Sequence, residues 1–198
     1  MVKRFEQIAE VRMGVSFRAR LEPDPKGEIT VIQMKDIDDT NLLHTEDLIR
    51  VHMPEFKKER HFVQKEELLF RSRGLTNTTT RFTAELPHAV LAAPMMVIRA
   101  KKNLILPQYL QWFLNLPTTQ AILAKQAEGT SVRMISKAAL DALEVPVPPL
   151  ARQKEIVEFA NLAAEEERLS QELLKQRRRF IEGFLLRCAF EKPPRKEQ

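Results

Sequence analysis

The most informative part of the chain is residues 128–159, EGTSVRMISKAALDALEVPVPPLARQKEIVEF. Within it, Ser136 is placed to cap a short helix over SKAALDAL, because its side-chain oxygen can accept a hydrogen bond from a backbone N–H of the first turn. The following EVPVPPL (144–150) cannot continue that helix, since proline lacks the N–H donor and biases the preceding residue towards extended backbone. The stretch therefore predicts a short helix, an extended step and the start of a new element.

A long helix is predicted to follow this step, over residues 151–190. These residues contain no proline and a single glycine, Gly183, and they are rich in the strong helix formers Glu, Arg, Leu and Ala. Apolar side chains recur along one stripe at spacings of seven, four, seven and four residues: Leu162, Leu169, Leu173, Phe180 and Phe184. A heptad-like seam of this kind favours pairing with another helix, from a second copy of the chain or from a different protein. We expect the tail, 191–198, to be frayed.

Residues 1–150 have the mixed pattern of a domain that contains both strands and helices. Strands are predicted where short β-branched and apolar runs are bounded by turn residues: EITVIQM (28–34), ELLFRSR (67–73) and MMVIR (95–99). Pro107 opens a helical pattern and Pro117 opens a second, shorter one. The apolar residues of the first of these helices share one face: Leu110, Phe113 and Leu114. The predicted fold class is therefore α+β, with one mixed α/β domain over 1–150 followed by the long helix.

Length and composition exclude several classes of protein. The chain has 198 residues, of which 43% are hydrophobic and 30% charged, so it is too apolar for a disordered chain and too short for a large multidomain machine. It has no run of the roughly 18 apolar residues that a membrane span needs, and its N-terminal MVKRFEQIAE lacks the apolar core of a signal peptide. A single cysteine, Cys188, cannot form an internal disulfide. We therefore expect a cytoplasmic protein that does not associate with membranes.

The net charge of +5 is compatible with a polyanionic partner. Residues 57–81 contain seven basic and three acidic side chains, a local net charge of +4. Two of the basic residues, Arg71 and Arg73, are predicted to point from the same face of a strand, because strand side chains alternate. After Gly74, which permits a tight turn, comes a polar loop whose side chains can hydrogen-bond to a nucleic acid: Asn77, Thr78, Thr79, Thr80 and Arg81. A cluster of this kind is equally compatible with a solvated face.

Residues 128–159 carry a specific family resemblance. Four elements follow one another in a characteristic order: the loop Gly129-Thr130-Ser131, the helix Ser136 to Leu143, the step Val145-Pro146-Val147-Pro148-Pro149-Leu150 and the helix opening Gln153-Lys154-Glu155-Ile156. They closely resemble the end of a target recognition domain in the specificity subunit of type I restriction–modification systems. Three further segments agree in order: IQMKDID (32–38), ELLFRSRG (67–74) and PQYLQWFLN (107–115). The chain departs from the family at Arg152, commonly Glu, and at Glu66-Glu67, commonly Gly-Asp.

The resemblance implies a DNA-recognition function without chemistry of its own. Family members commonly carry two recognition domains in tandem, each followed by a conserved helix, and the two helices pair antiparallel and dock the methyltransferase subunit. With one target recognition domain (1–150) and one conserved helix (151–190), this chain resembles a half-size specificity subunit or a fragment of a full one. The implied partners are double-stranded DNA, the methyltransferase (modification) subunit, the restriction/translocase subunit through the complex, and a second copy of the chain paired through the long helix. No cofactor and no metal are expected in this chain.

The candidate DNA contacts fall into three groups. The first is the basic segment that runs from Arg71 to Arg81, in which arginine can donate two hydrogen bonds to guanine O6 and N7. The resemblance places a second group beside DNA: Thr130, Ser131 and Arg133. Gln33 and Lys35, at the end of a predicted strand, are a third and weaker group. In any such surface, phosphate contacts give affinity and register, and contacts to base edges give sequence specificity.

Two other functions stay open at this point. Pro23-Asp24 with Glu55-Phe56-Lys57 has the form of a metal-dependent nuclease, whose paired acids bind Mg²⁺ while the lysine assists the attacking water. The long helix is also compatible with an interaction protein that lacks DNA recognition. No Asn-Pro-Pro-aromatic methyltransferase motif, glycine-rich nucleotide loop or Walker loop is present, and the four histidines and one cysteine lack the spacing of a zinc site.

Overall fold

The computed structural model describes residues 1–17, 20–53, 59–74, 77–127 and 133–190. The chain divides into two compact units, Met1–Val157 and Glu158–Gln198. The first unit contains all the strands of the described residues. The second contains the greater part of one long helix, which begins in the first unit.

The strands and helices come largely in separate runs, with four strands over residues 68–100 followed by three helices over residues 107–141, and they confirm the α+β fold class. The strands are β1 (Val2–Arg4), β2 (Ala9–Met13), β3 (Ile29–Ile32), β4 (Ile49–Val51), β5 (Leu68–Phe70), β6 (Thr79–Arg81), β7 (Ala89–Leu91), β8 (Met96–Ala100) and β9 (Glu144–Pro146). The α-helices are α1 (Phe5–Ile8), α2 (Pro107–Asn115), α3 (Pro117–Lys125), α4 (Lys137–Asp141) and α5 (Leu150–Phe190). Short 3₁₀ helices occupy Met34–Asp36 and Glu59–His61.

The largest sheet is antiparallel and has the strand order β2-β8-β5-β6. Its strand β5 is buried on both faces, which explains why its sequence is a continuous apolar run rather than an alternating one. Leu68 and Phe70 point into a core shared with α1, α2 and α4, whereas Leu69 points into a second core on the opposite face. The predicted apolar face of α2 is confirmed, since its residues belong to the first core: Leu110, Phe113 and Leu114.

The second sheet has the order β4-β3-β7, with β3 antiparallel to β4 and parallel to β7. Ile32 of β3 and Leu91 of β7 belong to the same core as Leu69 of β5, so the two sheets share one hydrophobic layer. Val31 and Val90 point the other way, into a smaller cluster. Because the sheets share this layer, the segment that follows β3 is held against the β5–β6 hairpin.

The proline-rich step joins the N-terminus to the start of α5. Strand β9, within that step, pairs antiparallel with β1, and the Val147 N–H donates to the carbonyl of Met1 at 2.7 Å. Gln153, in the first turn of α5, is completely buried. Its side chain accepts a hydrogen bond from Leu106 N–H at 2.8 Å and donates to the carbonyls of Leu104 (3.0 Å) and Pro148 (2.8 Å). The Gln that opens the long helix is therefore a structural anchor of the first unit.

The second unit is helical throughout its described residues, 158–190, and Gly183 does not interrupt α5. Its large apolar side chains are exposed, including all five of the predicted seam: Leu162, Leu169, Leu173, Phe180 and Phe184. Leu174, Ile181 and Leu185 form an adjacent exposed row. None of the helices in the described part of the chain is long and apolar enough to cross a membrane.

Several local predictions are confirmed and one is wrong. Ser136 caps α4, with its Oγ accepting from Ala139 N–H at 3.2 Å. The predicted strand over ELLFRSR is shorter than expected, because β5 ends at Phe70. The expectation that Arg71 and Arg73 point from the same face of one strand is therefore wrong, because both lie beyond the end of β5: Arg73 is exposed, whereas Arg71 is partly buried and bonded within the protein.

Candidate nucleic-acid interface

Arg133, the described member of the second predicted DNA-contact group, lies beside the end of the β5–β6 hairpin. Arg73 forms an antiparallel bridge with Met134, and the Ile135 N–H donates to the carbonyl of Ser72 at 2.7 Å. The N–H of Gly74 points to the carbonyl of Arg133 at 3.4 Å. The arginines at 73 and 133 are therefore neighbours along paired backbone segments, and both are exposed.

Gly74 makes this approach possible. Its φ is +122°, a backbone conformation that L side chains rarely adopt, and the space where a side chain would begin is open. The positive φ agrees with the expected turn at Gly74, and its place beside DNA stays a prediction. The open space beside Gly74 leaves room for another backbone or a phosphate to approach.

Arg71 connects the hairpin to the third predicted group. Its guanidinium donates to the carbonyl of Ile37 and, at 2.9 Å, to the carbonyl of Asp38. These carbonyls belong to the segment that begins with Gln33 and Lys35 at the end of β3. Because Nη2 of Arg71 is bound to these carbonyls, the side chain fastens a neighbouring loop to the hairpin.

The polar segment after Gly74 is held from behind by side-chain amides of α2 and α3. Gln120 accepts from Asn77 N–H at 2.9 Å and donates back to the Asn77 carbonyl at 2.8 Å. Asn115 makes the same pair of bonds with the backbone of Thr79, at 2.8 and 2.9 Å. Asn77, Thr79 and Thr80 are buried, so they shape this segment from the inside, while Thr78 stays partly exposed.

Arg81 is bound as well. Its guanidinium pairs with the carboxylate of Glu66 at 3.0 Å, and Gln108 donates to that same carboxylate at 3.0 Å. Several polar side-chain atoms of the hairpin are buried yet have no hydrogen-bond partner among the described residues: Arg71 Nε, Thr78 Oγ1, Thr79 Oγ1 and Arg81 Nε. Buried polar atoms of this kind are costly unless an ordered water or a ligand satisfies them.

The loop over residues 38–44, hereafter the Asp38 loop, is closed by one carboxylate. Asp38 accepts hydrogen bonds from the N–H of Leu42 (2.9 Å), from both N–H and hydroxyl of Thr40 (2.8 and 2.7 Å) and from His44 Nε2 (2.9 Å). These bonds, above all the one from Leu42, hold the pKa of Asp38 well below its usual range. The same carboxylate raises the pKa of His44.

A cleft of about 410 Å³ lies between the Asp38 loop and the β5–β6 hairpin. The loop lines one side with Asn41, Leu42 and Leu43, and the hairpin and α2 line the other with residues that include Arg81 and Gln111. Sequence reasoning did not select this loop. The turn-forming run Asp38-Asp39-Thr40-Asn41 was the available signal, because Asp and Asn side chains close turns on their own backbone.

Glu67 is the centre of a cluster of ion pairs with Arg12 and Arg99. Glu67, nearly inaccessible, accepts two hydrogen bonds from Arg12 (2.8 and 3.0 Å), one from Arg99 (2.7 Å) and one from the N–H of Gln64 (2.7 Å). The guanidinium of Arg12 also donates to the carbonyl of Arg60. The cluster links three strand-associated segments across the larger sheet and leaves little carboxylate capacity for a ligand.

The other residues predicted to contact DNA or to form a nuclease site are either outside the described residues or gain no support. Thr130 and Ser131 lie outside the described residues. Lys35 is exposed and Gln33 partly exposed. The nuclease pattern gains no support from Asp24, whose carboxylate closes a turn on Lys26 N–H at 2.9 Å; Glu55 and Lys57 lie outside the described residues. No group of three or more metal-ligating side chains occurs in the parts of the chain that the structure describes.

The sequence family follows from a direct comparison. The family model for the type I restriction modification DNA specificity domain matches residues 1–174. The chain belongs to this family. The match includes the whole first unit and the beginning of the second, and it agrees with the resemblance seen around residues 128–159. A comparison with curated proteins gives no match.

Solved structures of type I restriction–modification proteins share the fold of this specificity domain. A chain from a structure described as the basis of complex assembly and conformational transition of the type I R-M system has a TM-score of 0.68 at 16% identity, over 95% of this chain and 43% of that chain. The HsdS subunit from Thermoanaerobacter tengcongensis gives 0.60 at 18% identity, over 84% and 37%. The S subunit of a type I system from M. genitalium gives 0.58 at 12% identity, over 90% and 42%. This chain thus spans less than half the length of each of these proteins.

Proposed function

We propose that this specificity domain recognises DNA sequence for a type I restriction–modification system, as a half-size specificity subunit or as part of a full one. Residues 1–150 bind one half-site of double-stranded DNA, and residues 151–190 pair with a second copy and dock the methyltransferase subunit. The chain itself is non-catalytic, needs no cofactor and acts in the cytoplasm. Methylation and cleavage belong to the methyltransferase subunit and to the restriction/translocase subunit that joins through the complex.

The convergence of the three predicted groups carries this proposal. The backbone pairing of residues 72–74 with 133–135 brings Arg73 and Arg133 together. Arg71 then fastens the Asp38 loop, and with it the segment of Lys35, to the same hairpin. Segments that are far apart in sequence thus meet at one hairpin, and the exposed arginines there supply positive charge of the kind that binds DNA phosphates.

The proposal divides the arginines into two kinds. Arg73 and Arg133 are exposed and available to phosphates or base edges. Arg71 and Arg81 are engaged by carbonyls and by a carboxylate, so they preorganise the loops that meet DNA. A surface preorganised in this way loses less conformational entropy on binding, which favours specific over nonspecific complexes.

The exposed seam of α5 supports pairing with a second copy. Its five side chains are between 52% and 70% exposed, and the row Leu174, Ile181 and Leu185 widens the apolar face. A soluble helix with such a face is stabilised when a partner helix covers it. Pairing about a two-fold axis predicts a palindromic target, with two half-sites separated by a spacer of fixed length.

The test is selection from a random duplex library by the purified chain at near-physiological salt. Enrichment of a palindrome with a fixed spacer is the expected result, and a single half-site would support recognition by a monomer or a fragment. Absence of enrichment, both for the chain alone and with its methyltransferase subunit, would remove DNA recognition. The exposed seam would then favour the second candidate, an interaction protein that works through α5.

Single substitutions separate base contacts from phosphate contacts. Arg73→Ala is expected to weaken binding to the selected site by roughly 1–3 kcal/mol if it reads a guanine. If Arg73 binds a phosphate instead, the loss is the same for all sequences and the slope of affinity against salt falls by about one. Arg168→Ala is the matched control, because Arg168 is exposed and pairs with Glu165 on α5. Unchanged binding by both Arg73→Ala and Arg133→Ala would contradict the proposed surface.

A further inference from the structure

We propose that the tip of the Asp38 loop, Asn41 and Leu42, reads an A·T base pair in the major groove. This inference rests on the proposed function and adds two specificity-determining residues to it. Neither residue belongs to the basic segment or the family motif that the sequence singles out.

The tip is held by bonds that involve only its backbone. Asn41 has a φ of 64°, and its N–H donates to the carbonyl of Asp38 at 3.1 Å. Its own carbonyl accepts a hydrogen bond from Thr80 Oγ1 at 2.8 Å, across to β6. The Leu42 N–H is bound by the Asp38 carboxylate, and the Leu42 carbonyl accepts from the Asp38 N–H at 3.0 Å. Arg71 fastens the base of the loop to the hairpin.

The side chains of Asn41 and Leu42 make none of the hydrogen bonds that hold the tip in place. Within the described residues, the amide of Asn41 makes no hydrogen bond, although it lines the cleft of about 410 Å³. Leu42 is 59% exposed on the same rim. Five or more hydrogen bonds hold this surface loop in place without any help from the leucine side chain. Because that side chain is not buried within the unit, it is available to a partner.

The pair of side chains matches one base pair. An asparagine amide can both donate to adenine N7 and accept from adenine N6, and an apolar side chain can contact the 5-methyl group of thymine. Both features lie on the major-groove edge of an A·T pair, with thymine O4 between them. We assign the adenine contact to Asn41 and the methyl contact to Leu42, its neighbour on the same turn.

The experiment repeats the duplex selection with matched variants of the full chain. Asn41→Gly removes the amide and relieves the positive φ, and Asn41→Asp keeps the shape but cannot donate to adenine N7. Leu42→Ala removes the apolar contact. Asn103→Ala and Val2→Ala are controls, because Asn103 is an exposed asparagine in another turn and Val2 is an apolar residue of equal exposure (60%) on β1.

Asn41→Gly is expected to reduce the preference for one A·T pair by roughly 5- to 140-fold and to leave the other positions intact. Asn41→Asp is expected to shift that position towards cytosine, whose N4 donates to a carboxylate. With wild-type chain, replacing the thymine of that pair by uracil is expected to weaken binding roughly fourfold, and Leu42→Ala to abolish this difference. The uracil measurement needs no variant, so it stands even if a substitution disturbs folding.

Two results would overturn the inference alone: variants that enrich the same motif with undiminished preference at every A·T pair, or a wild-type motif without an A·T pair. Both leave DNA recognition intact. A wild-type chain that enriches no sequence, alone or with the methyltransferase subunit, overturns the inference together with the proposed function.

Discussion

Removing the side chain of Gln153 tests how the proline-rich step and the long helix are joined to the first unit. Gln153→Ala eliminates three hydrogen bonds, to Leu106 N–H and to the carbonyls of Leu104 and Pro148, in a site with no solvent access. At about 1 kcal/mol for each bond, the free energy of unfolding is expected to fall by about 3 kcal/mol, and by more if the orphaned groups stay dry. With a urea m-value of about 2 kcal/mol per M, the midpoint moves down by about 1.5 M.

The assay is urea denaturation followed by circular dichroism, with Gln171→Ala as the control. Gln171 is an exposed glutamine of the same helix whose amide donates to Glu167, so its substitution is expected to change stability by less than about 0.5 kcal/mol. Equal midpoints for Gln153→Ala and Gln171→Ala would refute the reasoning, because they would mean that the three bonds contribute no more than contacts with water.

Gln153→Glu adds a pH dependence to this test. A buried carboxylate at this position can still accept from Leu106 N–H, but it cannot donate to the two carbonyls unless it is protonated. Burial raises the pKa of such a carboxyl above its unfolded value. The destabilisation of the variant is therefore expected to be largest at neutral pH and to shrink as the pH falls through the raised pKa. A loss in free energy of unfolding that does not change with pH would show that the carboxyl group reaches water.

Three further substitutions and titrations test the surface. Glu67→Gln leaves two guanidinium groups without their carboxylate and is expected to lower the free energy of unfolding by about 3 kcal/mol. Glu85→Gln, in an exposed pair with a lysine, is the control and is expected to leave the midpoint of the same urea assay nearly unchanged. Gly74→Ala forces a side chain into a φ of +122° and is expected to cost about 1–3 kcal/mol, measured by thermal unfolding; no loss would mean that the turn relaxes freely. The pKa of His44, measured by NMR titration, is expected to lie above the ordinary histidine value because of its bond with Asp38. That bond therefore stabilises the fold below the pKa of the unfolded state, and the stabilisation is lost as the pH rises through the pKa of the folded state. An unshifted pKa would contradict the bond.

Local sequence patterns predicted the elements that depend on neighbouring residues. Pro107 opens α2, Ser136 caps α4, and the absence of proline from residues 150–190 is compatible with one uninterrupted helix. Each depends on interactions within about one helical turn, so it can be read from residues a few positions apart. The family motif around residues 128–159 likewise lies within one continuous stretch of chain.

The roles of individual site residues did not follow from sequence. Arg71 and Arg73 look equivalent as neighbours in a basic run, but Arg71 reaches carbonyls more than 30 positions earlier, whereas Arg73 faces solvent. Asn77 and Thr79 look like surface residues of a polar loop until Gln120 and Asn115 are seen to bind their backbone. Residue type indicates what a side chain can bind, and only its neighbours in space decide what it does bind.

The sequence by itself therefore determined the α+β class, the long helix with its apolar seam, and the family. Those properties arise from backbone preferences and periodicity, which act over short distances along the chain. Only the tertiary structure decided which of the basic and polar residues reach solvent, and that the Asp38 loop stands beside the hairpin. These outcomes depend on the shared hydrophobic layer between the two sheets and on hydrogen bonds between distant segments, whose pairing no local pattern encodes.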